Sequence, residues 1–163
     1  MKKGILVMLS AISSGILGAF VMKQRCHDSD KDEKIEKWKA LSDKHLRLMK
    51  LYDKWMITKQ EGRSITEYFE DNHIKTIAIY GMGSVGERLQ DELRKTDIEV
   101  KYGIDQKGKG RNDLDVVTLD KELDNVDEII VTAVFYFDQI KEDIKRKTDI
   151  KVVSLEEVLD WIW

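Results

Sequence analysis

Proline is absent from this chain, cysteine occurs once, and no charge of either sign dominates. Each absence removes a class of protein. With Cys26 alone there is no internal disulfide and no multi-cysteine zinc site, a composition that fits a reducing compartment. His27, His45 and His73 lie far apart and match no ligand spacing of the H-E-x-x-H kind, so no metal site is expected. A net charge of −3, with 36% charged residues of both signs, leaves no basic field for nucleic acid. At 163 residues the chain is long enough for one self-sufficient core with appendages and too short for a two-domain dehydrogenase.

Charge is also missing locally. The run GILVMLSAISSGILGAFVM, residues 4–22, holds 19 residues without a charge, close to the roughly 20 that span a bilayer as a helix. A cleaved secretory signal is the competing reading, with Lys2-Lys3 as its n-region and LGA as a poor cleavage site. Cys26 follows KQR and so makes no lipobox. After the run come Lys23, Arg25, Lys31, Lys34, Lys37 and Lys39, against two lysines and the amine before it. The positive-inside bias then holds the C-terminal body in the cytoplasm, which favours a single-pass anchor in the cell membrane. A run apolar all round does not suit a core helix.

From residue 26 to 62 the sequence is rich in Lys, Asp and Glu, with Ile35, Trp38, Leu41, Leu48, Tyr52, Trp55 and Met56 recurring at spacings of three, four and seven. That period predicts an amphipathic helix. Its stripe either packs on the chain's own domain or pairs two copies as a homodimer through a short coiled coil, with Ser42 and His45 interrupting the seam. Gly62 is expected to end this helix and Ser64 to cap the next. Beyond it, residues 63–163 alternate strand-like and helical segments. KTIAIYG, IEVKYGID, DVVTLD, EIIVTAVF and IKVVSL read as strands, SVGERLQDELRKT and YFDQIKEDIKRKT as helices, and EEVLDWIW as a closing helical turn. The predicted fold class is α/β, a single small parallel sheet of about five strands with helices on both faces.

The first strand ends in Gly81-Met82-Gly83-Ser84-Val85-Gly86, a G-x-G-x-x-G in the strand-to-helix context that the motif requires. Gly81 permits the tight turn, Gly83 lets backbone approach a pyrophosphate, and Gly86 lets the helix pack on the strand. Ser84 and the N–H groups around Val85 open the first helical turn, where the helix dipole favours an anion. Asp105 follows Gly81 by 24 residues at the end of the second strand, the place of an acid that accepts from ribose hydroxyls. The bland alternative is that these glycines only shape the turn. Gly103 to Gly110 imitates a Walker A loop, but Gly110 stands where a Mg²⁺-binding hydroxyl is needed. Lys107, Lys109 and Arg111 there remain candidates to reach a phosphate. Thr132, Phe135 and Tyr136 follow the fourth strand, beside the crevice expected of an open α/β sheet, where they line a base or sugar pocket or simply fill the core. No Tyr-x-x-x-Lys and no G-x-S-x-G elbow is present, so no catalytic pair emerges.

With IKTIAIYGMGSVGERLQDEL, VKYGID, DEIIVTAVFYFDQIKEDI and KVVSLEEVL in this order, the chain resembles the small Rossmann-like modules of bacterial surface-polysaccharide proteins. Such modules form the N-terminal half of sugar acetyltransferases, are appended to glycosyltransferases, and occur in nucleoside-diphosphate-sugar epimerase-like proteins. The resemblance implies a nucleotide-sugar or NAD(P) ligand, Gly81, Gly83, Ser84 and Gly86 at its phosphates, and Asp105 at its ribose or base. It implies a glycan-assembly enzyme as partner, with catalysis in another domain. The chain lacks the acetyltransferases' hexapeptide repeats and the epimerases' Tyr-x-x-x-Lys. The expectation is therefore a membrane-anchored binding module. An NAD(P)-dependent oxidoreductase or epimerase, and a non-binding scaffold for protein interaction, stand as alternatives.

Overall fold

In a computed structural model of the protein, residues 2–106 and 114–163 are described, with side chains from Lys31 onward. The apolar run at 4–22, and Lys107, Lys109 and Arg111, lie outside the described side chains. Among the described residues no helix is long and apolar enough to cross a membrane.

Helix α1, Lys2–Gln60, ends where its glycine predicts. Arg63 N–H reaches the Thr58 carbonyl (3.0 Å) and Gly62 N–H the Lys59 carbonyl (3.1 Å), a Schellman closure with Gly62 in the left-handed region. The chain divides into two compact units, Met1–Leu46 and Arg47–Trp163. In the first, Ile35, Trp38 and Leu41 of the predicted stripe are exposed. In the second, Leu51 and Trp55 are buried, Leu48 and Tyr52 pack against the core, and Met56 faces solvent. The last turns of α1 therefore belong to the α/β unit, which begins at Arg47 where the sequence pattern places its start at residue 63.

The rest of that unit runs α2 Thr66–Asp71, β1 Thr76–Tyr80, α3 Ser84–Leu93, β2 Glu99–Ile104, β3 Val116–Val117, β4 Glu128–Val131, α4 Phe137–Lys145, β5 Lys151–Ser154 and α5 Leu155–Ile162. Ser64 supports the start of α2 from two residues before it, its hydroxyl accepting from Thr66 N–H at 3.2 Å. Among the described residues the strands form one all-parallel sheet in the order β3-β2-β1-β4-β5. Alternation along the strands explains the two cores. Ile77, Ile79, Ile130 and Val153 meet α2, α3, α5 and the end of α1 on one face, while Ala78, Ile129, Val131 and Val152 meet Ile140 and Ile144 of α4 on the other. β2 carries one irregularity against β1, where the register steps from Val100 to Tyr102 and leaves Lys101 unmatched.

At the N-terminal edge of the sheet the register is fixed by charge. The Asp127 carboxylate accepts from the N–H groups of Lys75 (2.9 Å) and Thr76 (2.8 Å), bonds that hold it below the usual carboxylate range. Next to it Glu128, completely buried, accepts from the Tyr68 hydroxyl (3.0 Å) and pairs with Lys151 (2.7 Å), its cross-strand neighbour in β5. Burial first, then the Glu128 charge, pushes the Tyr68 phenol above its ordinary range, and the hydrogen bond to Glu128 raises Lys151. Both groups hold their protons more tightly folded than unfolded. Their contribution is thus full below about pH 10 and is lost as pH rises through the folded values.

Replacing Tyr68 by Phe leaves Glu128 short of one bond in a dry site, and should cost about 1–3 kcal/mol at neutral pH. Urea midpoints should also fall less steeply above about pH 10 in Tyr68→Phe than in the wild type.

Candidate functional site

β1 delivers the chain to Gly81, whose φ of +95° turns it across the end of the sheet. A Cβ there would lie 2.9 Å from Thr132 Oγ1, and one on Gly86 would lie 2.3 Å from the Gly81 carbonyl oxygen. At Gly81 the positive φ and Thr132 exclude a side chain, and at Gly86 the seat of α3 on the end of β1 does. Around Gly83 the space is open. Gly83 is the N-cap of α3 and, having no side chain, makes no capping bond to the first-turn N–H groups. Ser84 is exposed beside them, and the Tyr52 hydroxyl of α1 comes to 3.4 Å from its Oγ.

Neighbouring strand ends tie down the loop. Thr132 Oγ1 donates to the Gly81 carbonyl (2.6 Å), its N–H donates to the Tyr80 carbonyl (2.9 Å), and Gly81 N–H donates to the Ile104 carbonyl (2.8 Å). Asp105 Oδ2 accepts from Met82 N–H at 3.0 Å. β1, β2 and β4 thus meet at this one turn. A crevice of about 490 Å³ opens beside it, lined among others by Tyr80, Asp105, Gln106, Tyr136, Gln139 and Asp143. Tyr80 shows the character of the place: burial, then the charges of Asp143 and Asp105, push its phenol upward.

Among the residues read from sequence, Gly81, Gly83, Ser84 and Gly86 form one loop with Asp105 against it. Val85 points into the core, and buried Thr132 spends its hydroxyl on the loop's own carbonyls. Phe135 packs edge-on against Tyr136, and of the two it is Tyr136 that lines the crevice. Pattern reading passed over Gln139 and Asp143, which lie on α4 three and seven residues after Tyr136, the residue just before the helix, a signal present in the sequence. Tyr52 had no such signal, because it reaches Ser84 from 32 residues away. Among the described residues no cluster of three or more His, Cys, Asp or Glu is arranged to hold a metal ion.

Comparison with family models, with curated proteins and with solved structures finds no match.

Gly86→Ala and Gly83→Ala separate packing from openness in this loop. The first should destabilise by about 1–3 kcal/mol or more through overpacking, the second by no more than about 0.5 kcal/mol, as read by denaturant unfolding of the two variants.

Proposed function

We propose that the chain is a membrane-anchored, cytoplasm-facing binding module, held at the membrane through residues 4–22. Its Rossmann-like domain holds a nucleotide-sugar or an NAD-type dinucleotide for a surface-glycan assembly. One observation carries the ligand reading: the glycine loop closes β1 where the strand order reverses, with β2 on one side and β4 on the other. Open α/β sheets bind their ligands at that point, because the two neighbouring connections leave on opposite faces and part to form a crevice. There the N–H groups at the start of α3, with its dipole, would hold a diphosphate. Ser84 and Tyr52 would add hydroxyl donors, and Asp105 would accept from a ribose hydroxyl. The module's mechanism is recognition, with bond-making left to a partner enzyme.

A second reading, a protein-interaction scaffold that keeps the glycines for the turn alone, draws on the loop's own bonds. Asp105 to Met82 N–H and Thr132 to the Gly81 carbonyl hold the turn without any ligand.

Calorimetry on the full 163-residue chain in detergent, with NAD, NADP, UDP-sugars and CoA, tests the first reading. At least one should bind with Kd below about 1 mM, and Gly83→Glu, which fills the open approach, should abolish it. Silence from all of them at millimolar concentration leaves the scaffold. The orientation has its own check, in which Cys26→Ser is combined with a cysteine at exposed Glu142. An impermeant maleimide should label that cysteine only after lysis, and labelling of intact cells overturns the cytoplasmic placement.

A further inference from the structure

Helix α1 carries more apolar surface than its own domain uses. Of the ten exposed large hydrophobics among the described residues, six lie on this helix: Ile35, Trp38, Leu41, Leu46, Met49 and Met56. One heptad register takes them all, with a at 35, 42, 49 and 56 and d at 38, 45, 52 and 59. Ile35, Met49 and Met56 then stand at a, Trp38 at d, Leu41 at g and Leu46 at e, the four positions that face a partner helix in a coiled coil. Between residues 33 and 46 the outer positions b, c and f hold Glu33, Glu36, Lys37, Ala40, Asp43 and Lys44. Further along, the domain core takes Leu48, Leu51 and Trp55 and leaves Met49 and Met56 62% and 57% exposed. Beside Met56 lies a hollow of about 360 Å³, lined on α1 by Tyr52, Trp55, Met56 and Lys59, with α3 along its far side. Those four are successive d, g, a and d positions. They form the hole into which a parallel coiled coil inserts an a side chain of the other helix.

We propose that two copies of the chain pair through α1 as a parallel, in-register coiled coil over residues 35–56, with Met56 of each copy seated in the hollow of the other. A long, unbranched methionine suits such an irregular hole. Direction follows from Leu41 and Leu46. A g residue meets the e residue five positions on in the other helix only when the two run parallel and in register, and these two leucines then cover each other. Lys34 at g meets Lys39 at e in the same way, a repulsion tempered because Lys39 pairs with Glu36 of its own helix (2.9 Å). Ser42 at a and His45 at d make the polar layer that pins the register at some cost in affinity. Covering the six side chains on both copies removes on the order of 1,200 Å² from water, the lower end of what a stable pair needs. The seam requires no ligand at the glycine loop, so it stands or falls apart from the nucleotide reading.

Sedimentation of the full chain in density-matched detergent should show a dimer. Met56→Asp and Trp38→Asp, each placing a charge on the seam, should weaken it at least about tenfold. Trp38 is 70% exposed and outside both cores, so its variant keeps the domain folded even where Met56→Asp does not. Register is read by disulfides in the full chain carrying Cys26→Ser. Ser42→Cys, at a, should link two chains on mild oxidation, and Lys37→Cys, at c, should not. A monomeric wild type, a dimer that Trp38→Asp leaves intact, or equal crosslinking at the two positions overturns the inference.

Discussion

The contact on which the rest of the site depends is the one between the Gly86 backbone and the Gly81 carbonyl, where even a methyl group would come within 2.3 Å. It sets α3 directly on the end of β1, so the helix starts where the central strand stops. Two strand neighbours then become clamps. Thr132 from β4 and Asp105 after β2 each bond to the same short turn, so three strand ends are fixed by one loop. A loop held from both sides is preorganised.

The opposite edge of the sheet is built differently. There Glu128 is buried whole among Tyr68 and Lys151, and Asp127 ties β4 to the start of β1. Burying a carboxylate costs desolvation that pairing only roughly offsets, so its contribution lies in fixing which strands meet and in what register more than in raw stability. Glu128 and Lys151 face each other across β4 and β5, and a one-residue slip would part them. One end of the sheet thus holds register by buried charge, while the other is pinned by bonds to the glycine turn.

Helix α1 joins the two ends of α3. Trp55 donates its indole N–H to Glu92 (2.8 Å), and Lys59 pairs with the same carboxylate (2.9 Å), near the C-terminal end of α3. Tyr52 meets Ser84 at the N-terminal end. Tyr52 and Trp55 stack nearly parallel, 6.4 Å between ring centroids, so they form one rigid ledge along the helix that carries the loop. The amphipathic stripe of α1 is thus split in use: its later residues complete the core, while Ile35 and Trp38 remain in solvent.

Much of this was legible beforehand, for local reasons. The parallel strands are short β-branched runs, the stop of α1 is a glycine, and the loop motif sits between a strand and a helix, each a signal within a few residues. Other features were not local. That α1 contributes Leu51 and Trp55 to the α/β core, and Tyr52 to the loop, depends on packing between segments more than thirty residues apart. Thr132 and Phe135 looked equally like pocket residues, since a strand end does not reveal which way each side chain turns. Only the assembled sheet gave Thr132 to the carbonyls of the turn and Tyr136 to the crevice. The sequence by itself determined the alternation of strands and helices and the glycine turn, because periodicity and backbone freedom are properties of neighbours along the chain. The tertiary structure decided which polar groups face one another across the sheet edge, because that depends on strand order and on the close seat of α3 on β1.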